Sequence, residues 1–228
     1  MGQSNSLVLF DIDGTLLCGA GQHHKRALVA GIDRVTGITT TLDGVPTSGM
    51  LDRDLIAAML RNCGYSERRI RIGLRKIMSE CQDAYLADCA MDLRDKVCPG
   101  VVAMLAALQR RGAVMAVVTG NLTQIGWKKL ELAGLKPHFA TGAFAEDGTT
   151  RTRLARVAMR RAIKQGFVNK NCRISLIGDH ANDIEAAKRN GFQAVAVASG
   201  LSSLEQLRCC EPDILVRDLT ELDIERLL

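Results

Sequence analysis

Leu7-Val8-Leu9-Phe10-Asp11-Ile12-Asp13-Gly14-Thr15-Leu16-Leu17 decides how the rest of the chain is read. Four apolar residues run into Asp11, Asp13 follows two positions on, and Gly14 and Thr15 come next. A short apolar run closed by glycine has the character of a buried strand in a parallel sheet. In open α/β sheets the reacting groups stand just beyond the carboxyl ends of strands. Side chains two positions apart on a strand share one side of the pleat, so Asp11 and Asp13 face the same way. Two carboxylates held that close repel unless a cation or a proton lies between them. The expectation is a Mg2+ site with one carboxylate free to act on a substrate. The bland alternative is an acidic turn, since Asp and Gly are common turn residues.

The chain has 228 residues, enough for one large domain or two small ones. Hydrophobic residues make up 47% and aromatics only 4%, so the core must be aliphatic. The net charge of +5 suits a phosphorylated anion but identifies neither ligand nor fold. Cysteines stand at 18, 63, 81, 89, 98, 172, 209 and 210, with no Cys-x-x-Cys and no histidine at zinc-ligand spacing. They read as reduced thiols acting as small hydrophobes in a cytoplasmic protein. Residues 1–6 are polar and do not resemble a secretory signal, and no apolar stretch reaches the length of a membrane span.

The pattern divides in three. Residues 6–10 are the first strand. Helical periodicity then covers 22–36, 52–63 and 66–87, the last opening on Arg68, Arg69, Arg71, Arg75 and Lys76. That basic run reads as a solvated helix face; the aromatic interleaving of a nucleic-acid surface is missing. From Pro99 onward helices alternate with short β-rich runs: helix to Arg111, strand 113–118, helix 122–133, a short strand at 139–141, helix 152–165, strand 173–177, helix 183–190, strand 193–197, helix 204–209 and strand 213–216. Such alternation implies a parallel sheet covered on both faces.

Two further strings end strands. Val117-Val118-Thr119-Gly120-Asn121 offers a hydroxyl, an amide and backbone N–H groups near a helix start, which suit a phosphoryl group; Asn121 as a plain helix cap is the alternative. Ile177-Gly178-Asp179-His180-Ala181-Asn182-Asp183 ends a second apolar run on Gly-Asp, with another Asp four residues on. Asp183 could equally be a first-turn acid facing the helix dipole. A ring at His180 is more often a gate or surface group than a ligand.

The first and last of these strings resemble the first and fourth motifs of the haloacid dehalogenase-like (HAD) superfamily, and Val117–Asn121 resembles the second. A helical insert after the first strand resembles the C1 type of cap. The resemblance covers nearly the whole chain and is similar to phosphoglycolate phosphatases. It implies a Rossmann-like three-layer α/β core with a mainly parallel sheet, formed by residues 1–17 and 97–228. Residues 18–96 would form an all-helical cap, hinged at 16–20 and 95–99. It implies Mg2+ held by Asp11, the backbone carbonyl of Asp13 and Asp179, with Asp183 supporting. Asp11 would be the nucleophile, Asp13 the acid and base, and Thr119 the holder of a phosphate oxygen beside Gly14, Thr15, Gly120 and Asn121. The third motif departs from the common pattern, which places a lysine before a helix. Here Arg151 stands in that place, and Arg153 is the alternative. In the cap, Gly49 and Asp52 match a substrate-facing string in which Leu51 replaces a threonine. Asp52 and Arg53 are candidate substrate contacts, Arg53 for a carboxylate; otherwise Asp52 and Asp54 simply start a helix.

The implied activity is Mg2+-dependent hydrolysis of a small phosphorylated metabolite through an aspartyl-phosphate, by a monomer or homodimer with no nucleic-acid or membrane partner. An acid at Asp13 argues for phosphoryl transfer over carbon–halogen cleavage. Phosphonate cleavage would need a cap lysine forming a Schiff base, and none stands out, with nothing to support Lys25 in that part. A phosphosugar mutase would share every core residue, and a non-catalytic phosphate binder would not need the full set.

Overall fold

The structure, a computed structural model, describes residues 4–88 and 92–228. Met1, Gly2 and Gln3 of the polar amino terminus, and Cys89, lie outside the described residues. β1 (Ser4–Phe10) is followed by α1 (Gly21–Thr36), α2 (Asp52–Asn62) and α3 (Glu67–Asp88). Then come α4 (Val101–Arg110), β2 (Val114–Val118), α5 (Thr123–Leu132), β3 (Thr141–Ala143), α6 (Arg151–Lys164) and β4 (Val168–Gly178). α7 (Ala181–Asn190), β5 (Gln193–Val197), α8 (Leu204–Arg208) and β6 (Ile214–Val216) complete the order.

The six strands form one parallel sheet in the order β3-β2-β1-β4-β5-β6. Leu7, Val8, Leu9 and Phe10 are all at 0% exposure, which is possible only if both faces of β1 are covered. Leu7 and Leu9 pack with Leu154, Ala158 and Ile184 of α6 and α7. Val8 and Phe10 pack with Val101, Met104 and Leu105 of α4. This is the three-layer Rossmann-like arrangement, held by an aliphatic core.

α1, α2 and α3 pack together through Leu28, Ile32, Ile56, Leu60, Ile77 and Cys81. Gly31 allows the close crossing of α1 and α3, since a Cβ there would fall within 2.6 Å of the Cys81 backbone. Arg68, Arg69, Arg71, Arg75 and Lys76 are exposed, and Arg69 lies over the Tyr65 ring at 4.4 Å.

Among the element boundaries that differ from the expected ones, three have a local reason. The helix expected from Pro99 begins at Val101, because Gly100 first turns the chain at φ +82°, against the Leu219 backbone. β4 begins five residues before the expected Arg173: Val168 pairs with Ser4 across a bulge, a backbone contact that polar residues 169–171 do not advertise. The short strand expected at 139–141 lies at Thr141–Ala143, while Phe139 packs edge-on against Phe10 at 5.8 Å.

The cysteine reading needs correction. Cys18 and Cys98 form a disulfide. The two chain segments flanking the helical insert run antiparallel, with Leu17 bridged to Val97; the Cys18 N–H donates to Lys96 O and the Cys98 N–H to Leu16 O. Residues 80 apart in sequence are thereby brought face to face, which spacing alone does not show. Cys63, Cys81, Cys172, Cys209 and Cys210 are free. Among the described residues no helix is long and apolar enough to cross a membrane.

Candidate active site

Strand order places the site. From β1 the chain moves outward to β2 and β3, then returns to lay β4 on the other side of β1. A crevice opens where the order reverses, beyond the carboxyl ends of the strands. Asp11 follows β1, Asp179 follows β4 and Thr119 follows β2. They line a cavity of about 470 Å³ whose other wall is the helical insert.

Asp11, Asp179 and Asp183 are buried and bring carboxylate oxygens within 4.8 Å of one another. Three glycines make the room. A Cβ at Gly14 (φ +88°) or Gly200 would overlap the Asp179 carboxyl, and one at Gly178 would overlap Asp183. The Thr15 hydroxyl donates to Asp179 Oδ1 at 3.3 Å. Arg151 enters the cluster from the start of α6, donating to Asp11 Oδ1 at 3.0 Å, with its Nε 3.1 Å from Asp183 Oδ1. One guanidinium therefore pairs with two of the three carboxylates. Burial pushes Asp11 and Asp183 above the usual carboxylate range, even against the pull of Arg151. Burial and the nearby Asp11 charge push Asp179 up to about 7. Anionic oxygens gathered at this density, with uncompensated charge, are the hard donor set that a divalent cation takes.

Asp13 turns away from the cluster. Both its oxygens accept from Lys129 Nζ, at 2.8 and 2.7 Å, and Oδ2 also accepts from Asn121 Nδ2 at 2.8 Å. Burial is the largest single influence and acts to raise its pKa, but the charges of Lys129 and His24 and the hydrogen bonds from Lys129 and Asn121 together hold the carboxyl below the usual range. Sequence reasoning missed Lys129. Its signal was the phase of α5: Ile125, Gly126, Lys129 and Leu130 are the buried positions, a helical stripe with one lysine in it. His24 was also missed; it lies on α1 and reaches Lys129 and Asp52.

The remaining expected residues fall as follows. Thr119 and Asn121 are buried, with the Asn121 amide donating to Thr119 Oγ1 at 2.6 Å. Gly120 lets the insert dock: its carbonyl accepts from the Asp52 N–H at 2.8 Å, and a Cβ would fall 2.6 Å from Met50 O. Asp52 lines the cavity and accepts from the Leu122 N–H, just before α5, at 2.7 Å. Gly14, Gly120, Asn121 and Arg151 line the cavity. Two expected substrate contacts are placed away from the cavity lining. Thr15 is fully buried, and its hydroxyl donates to the Asp179 carboxylate. Arg53 is not among the residues lining the cavity; it donates to Gly148 O and stands 3.8 Å from Asp54. Of the two arginines weighed for the third motif, Arg151 lies in the cluster and Arg153 is exposed. His180 caps α7 and lines the cavity, its ring against Gly49 of the insert.

Comparison with known proteins agrees with this geometry. The family model for haloacid dehalogenase-like hydrolases matches residues 6–191. The "Probable phosphatase IndB" of Dickeya dadantii is 25% identical over 225 residues, covering 95% of this chain and 91% of that protein. The phosphoglycolate phosphatase of Escherichia coli O157:H7 is 26% identical over 237 residues, covering 94% and 90%. A crystal structure of β-phosphoglucomutase from Clostridium difficile superposes with a TM-score of 0.71 at 16% identity, covering 98% and 95% of the two chains, a likeness of fold. With its sheet order, its acidic strand ends and a family match across most of its length, the chain belongs to the haloacid dehalogenase-like hydrolases.

Proposed function

We propose that the protein is a Mg2+-dependent phosphatase, similar to phosphoglycolate phosphatases, that hydrolyses a small phosphorylated metabolite through an aspartyl-phosphate. The observation that carries this reading is the division of labour between two neighbouring carboxylates: Asp11 in the acidic cluster, Asp13 on its own lysine. Asp11, Asp179 and the backbone carbonyl of Asp13, supported by Asp183, would hold Mg2+. The ion supplies charge neutralisation between the nucleophile and an anionic substrate.

The Asp11 carboxylate attacks phosphorus, forming an acyl phosphate as the ester P–O bond breaks. Asp13 is ionised in the resting site; a bound dianion beside it favours its protonation, and that proton goes to the leaving oxygen. In the second half Asp13 takes a proton from water, the water oxygen bonds to phosphorus as the P–O bond to Asp11 breaks, and phosphate leaves. Thr119, Arg151 and the amides around Gly120 hold the oxygens of the transferring group. Residues 18–96 act as the cap over residues 1–17 and 97–228, excluding water until it is needed. The leaving group meets Leu17, Leu28, Leu42, Met50 and Leu55 together with Lys25, a mixed apolar and cationic wall.

The test is phosphate release from phosphoglycolate, sugar phosphates and nucleotides, with Mg2+ and with EDTA. Metal-dependent release from at least one compound is expected, and none in Asp11→Asn, which should keep the fold. Substantial turnover by Asp11→Asn would sink the covalent route. Isomerisation of a sugar phosphate without phosphate release would assign a mutase instead.

A further inference from the structure

Lys129 is fully buried, yet the chemistry above does not use it. A buried ammonium must place its protons on acceptors. Here Nζ meets both Asp13 oxygens, Asn121 Oδ1 at 2.7 Å and His24 Nδ1 at 3.2 Å. An ammonium only donates, so His24 Nδ1 must be the accepting nitrogen and its proton sits on Nε2. That proton points at Asp52 Oδ2, 2.8 Å away. Asp52 Oδ2 in turn accepts from the Leu122 N–H, just before the helix that carries Lys129. His24 and Asp52 belong to the helical insert, whereas Asp13, Asn121, Leu122 and Lys129 belong to the core. One continuous hydrogen-bonded chain thus crosses from the insert to the group assigned as acid and base.

We propose that Lys129 is a positioning residue for Asp13, and that His24 completes its grip only when the insert is docked. A four-carbon stem has no intrinsic aim; enclosure by its acceptors fixes where Nζ stands. If the insert leaves, His24 and Asp52 leave with it, water reaches Nζ, and the hold on Asp13 loosens. Docking over a substrate and aiming of the acid then become one event. The inference rests on the reading of Asp13 as the group that protonates the leaving oxygen.

The test compares kcat/KM with Mg2+ for p-nitrophenyl phosphate, whose phenolate leaves without a proton, and for the alkyl phosphomonoester turned over fastest. Asp13→Asn sets the reference: a large loss on the alkyl ester and a small one on the aryl ester. Lys129→Met, which keeps the volume, is expected to reproduce that selectivity with at least a tenfold loss on the alkyl ester. His24→Ala is expected to do the same more weakly, and the double variant to lose no more than Lys129→Met alone. Equal losses on both esters in Lys129→Met, or none, would make the lysine merely structural and overturn the proposal. Losses that multiply in the double variant would overturn the role of the insert. If Lys129→Met does not fold, the selectivity of His24→Ala alone decides. If Asp13→Asn shows no selectivity, the reading of Asp13 fails and the proposal falls with it.

Discussion

Gly200 has no chemistry of its own, yet the position of Asp179 depends on it. A methyl group there would overlap the Asp179 carboxyl, and the chain on the opposite side, at Gly14, leaves no slack. Gly200→Ala should weaken Mg2+ binding by about 10- to 100-fold, the usual cost of disturbing a ligand's support, and titration calorimetry would read it. Unchanged affinity would mean that Asp179 is not a ligand. Arg151 offers the complementary case. Removing it takes the guanidinium from Asp11 and Asp183, and Arg151→Ala should cost about 2 to 4 kcal/mol of transition-state stabilisation, seen in kcat. The acids of the first and fourth strings were legible because each stands next to the apolar run that positions it. Lys129 left only the weaker trace of its place in the buried stripe of α5, because a lysine on a helix ordinarily carries its charge to solvent.

At the scale of elements, the most consequential contact joins two segments that carry no regular structure. The Leu17–Val97 bridge and the Cys18–Cys98 disulfide tie the entry and exit of the helical insert together. Closing a loop of this length should stabilise the fold by about 2 to 4 kcal/mol, chiefly by restricting the unfolded chain. Cys98→Ser should lose that amount in urea denaturation without reductant, and added dithiothreitol should then change nothing further. A wild-type protein equally stable with and without dithiothreitol would contradict the assignment. Helices α1, α2 and α3 were readable from periodicity to within a residue or two, as were β5 and α7. The early start of β4 was not, since a strand held by backbone pairing to Ser4 needs no apolar side chains.

At the scale of the whole molecule, the reversal of strand order gathers acids from distant parts of the chain into one crevice, and folding without metal must bear their repulsion. The sign follows from Asp179, raised from 3.8 to about 7 by burial and by the Asp11 charge. Between those values the folded state holds a proton that the unfolded chain has released. Its contribution to stability is therefore complete at acid pH and is lost as pH rises through about 7. Asp183 acts in the same sense. His180, lowered by burial, opposes them from a half-buried site. Denaturation in EDTA should give a less stable protein at pH 8 than at pH 5, Asp179→Asn should flatten that slope, and Mg2+ should remove it. Metal-free stability that rises across this window would contradict the cluster's electrostatics.

By itself the sequence determined the class of the fold, the strands that end in acids and the family. These are local patterns, an apolar run followed by Asp and Gly, and they survive without knowledge of the neighbours. Tertiary structure alone decided which arginine enters the cluster, which two cysteines meet, and that Asp13 is held by Lys129 and Asn121. Each of those is a contact between residues far apart along the chain, chosen by how helices pack over the sheet, and no spacing in the sequence encodes it.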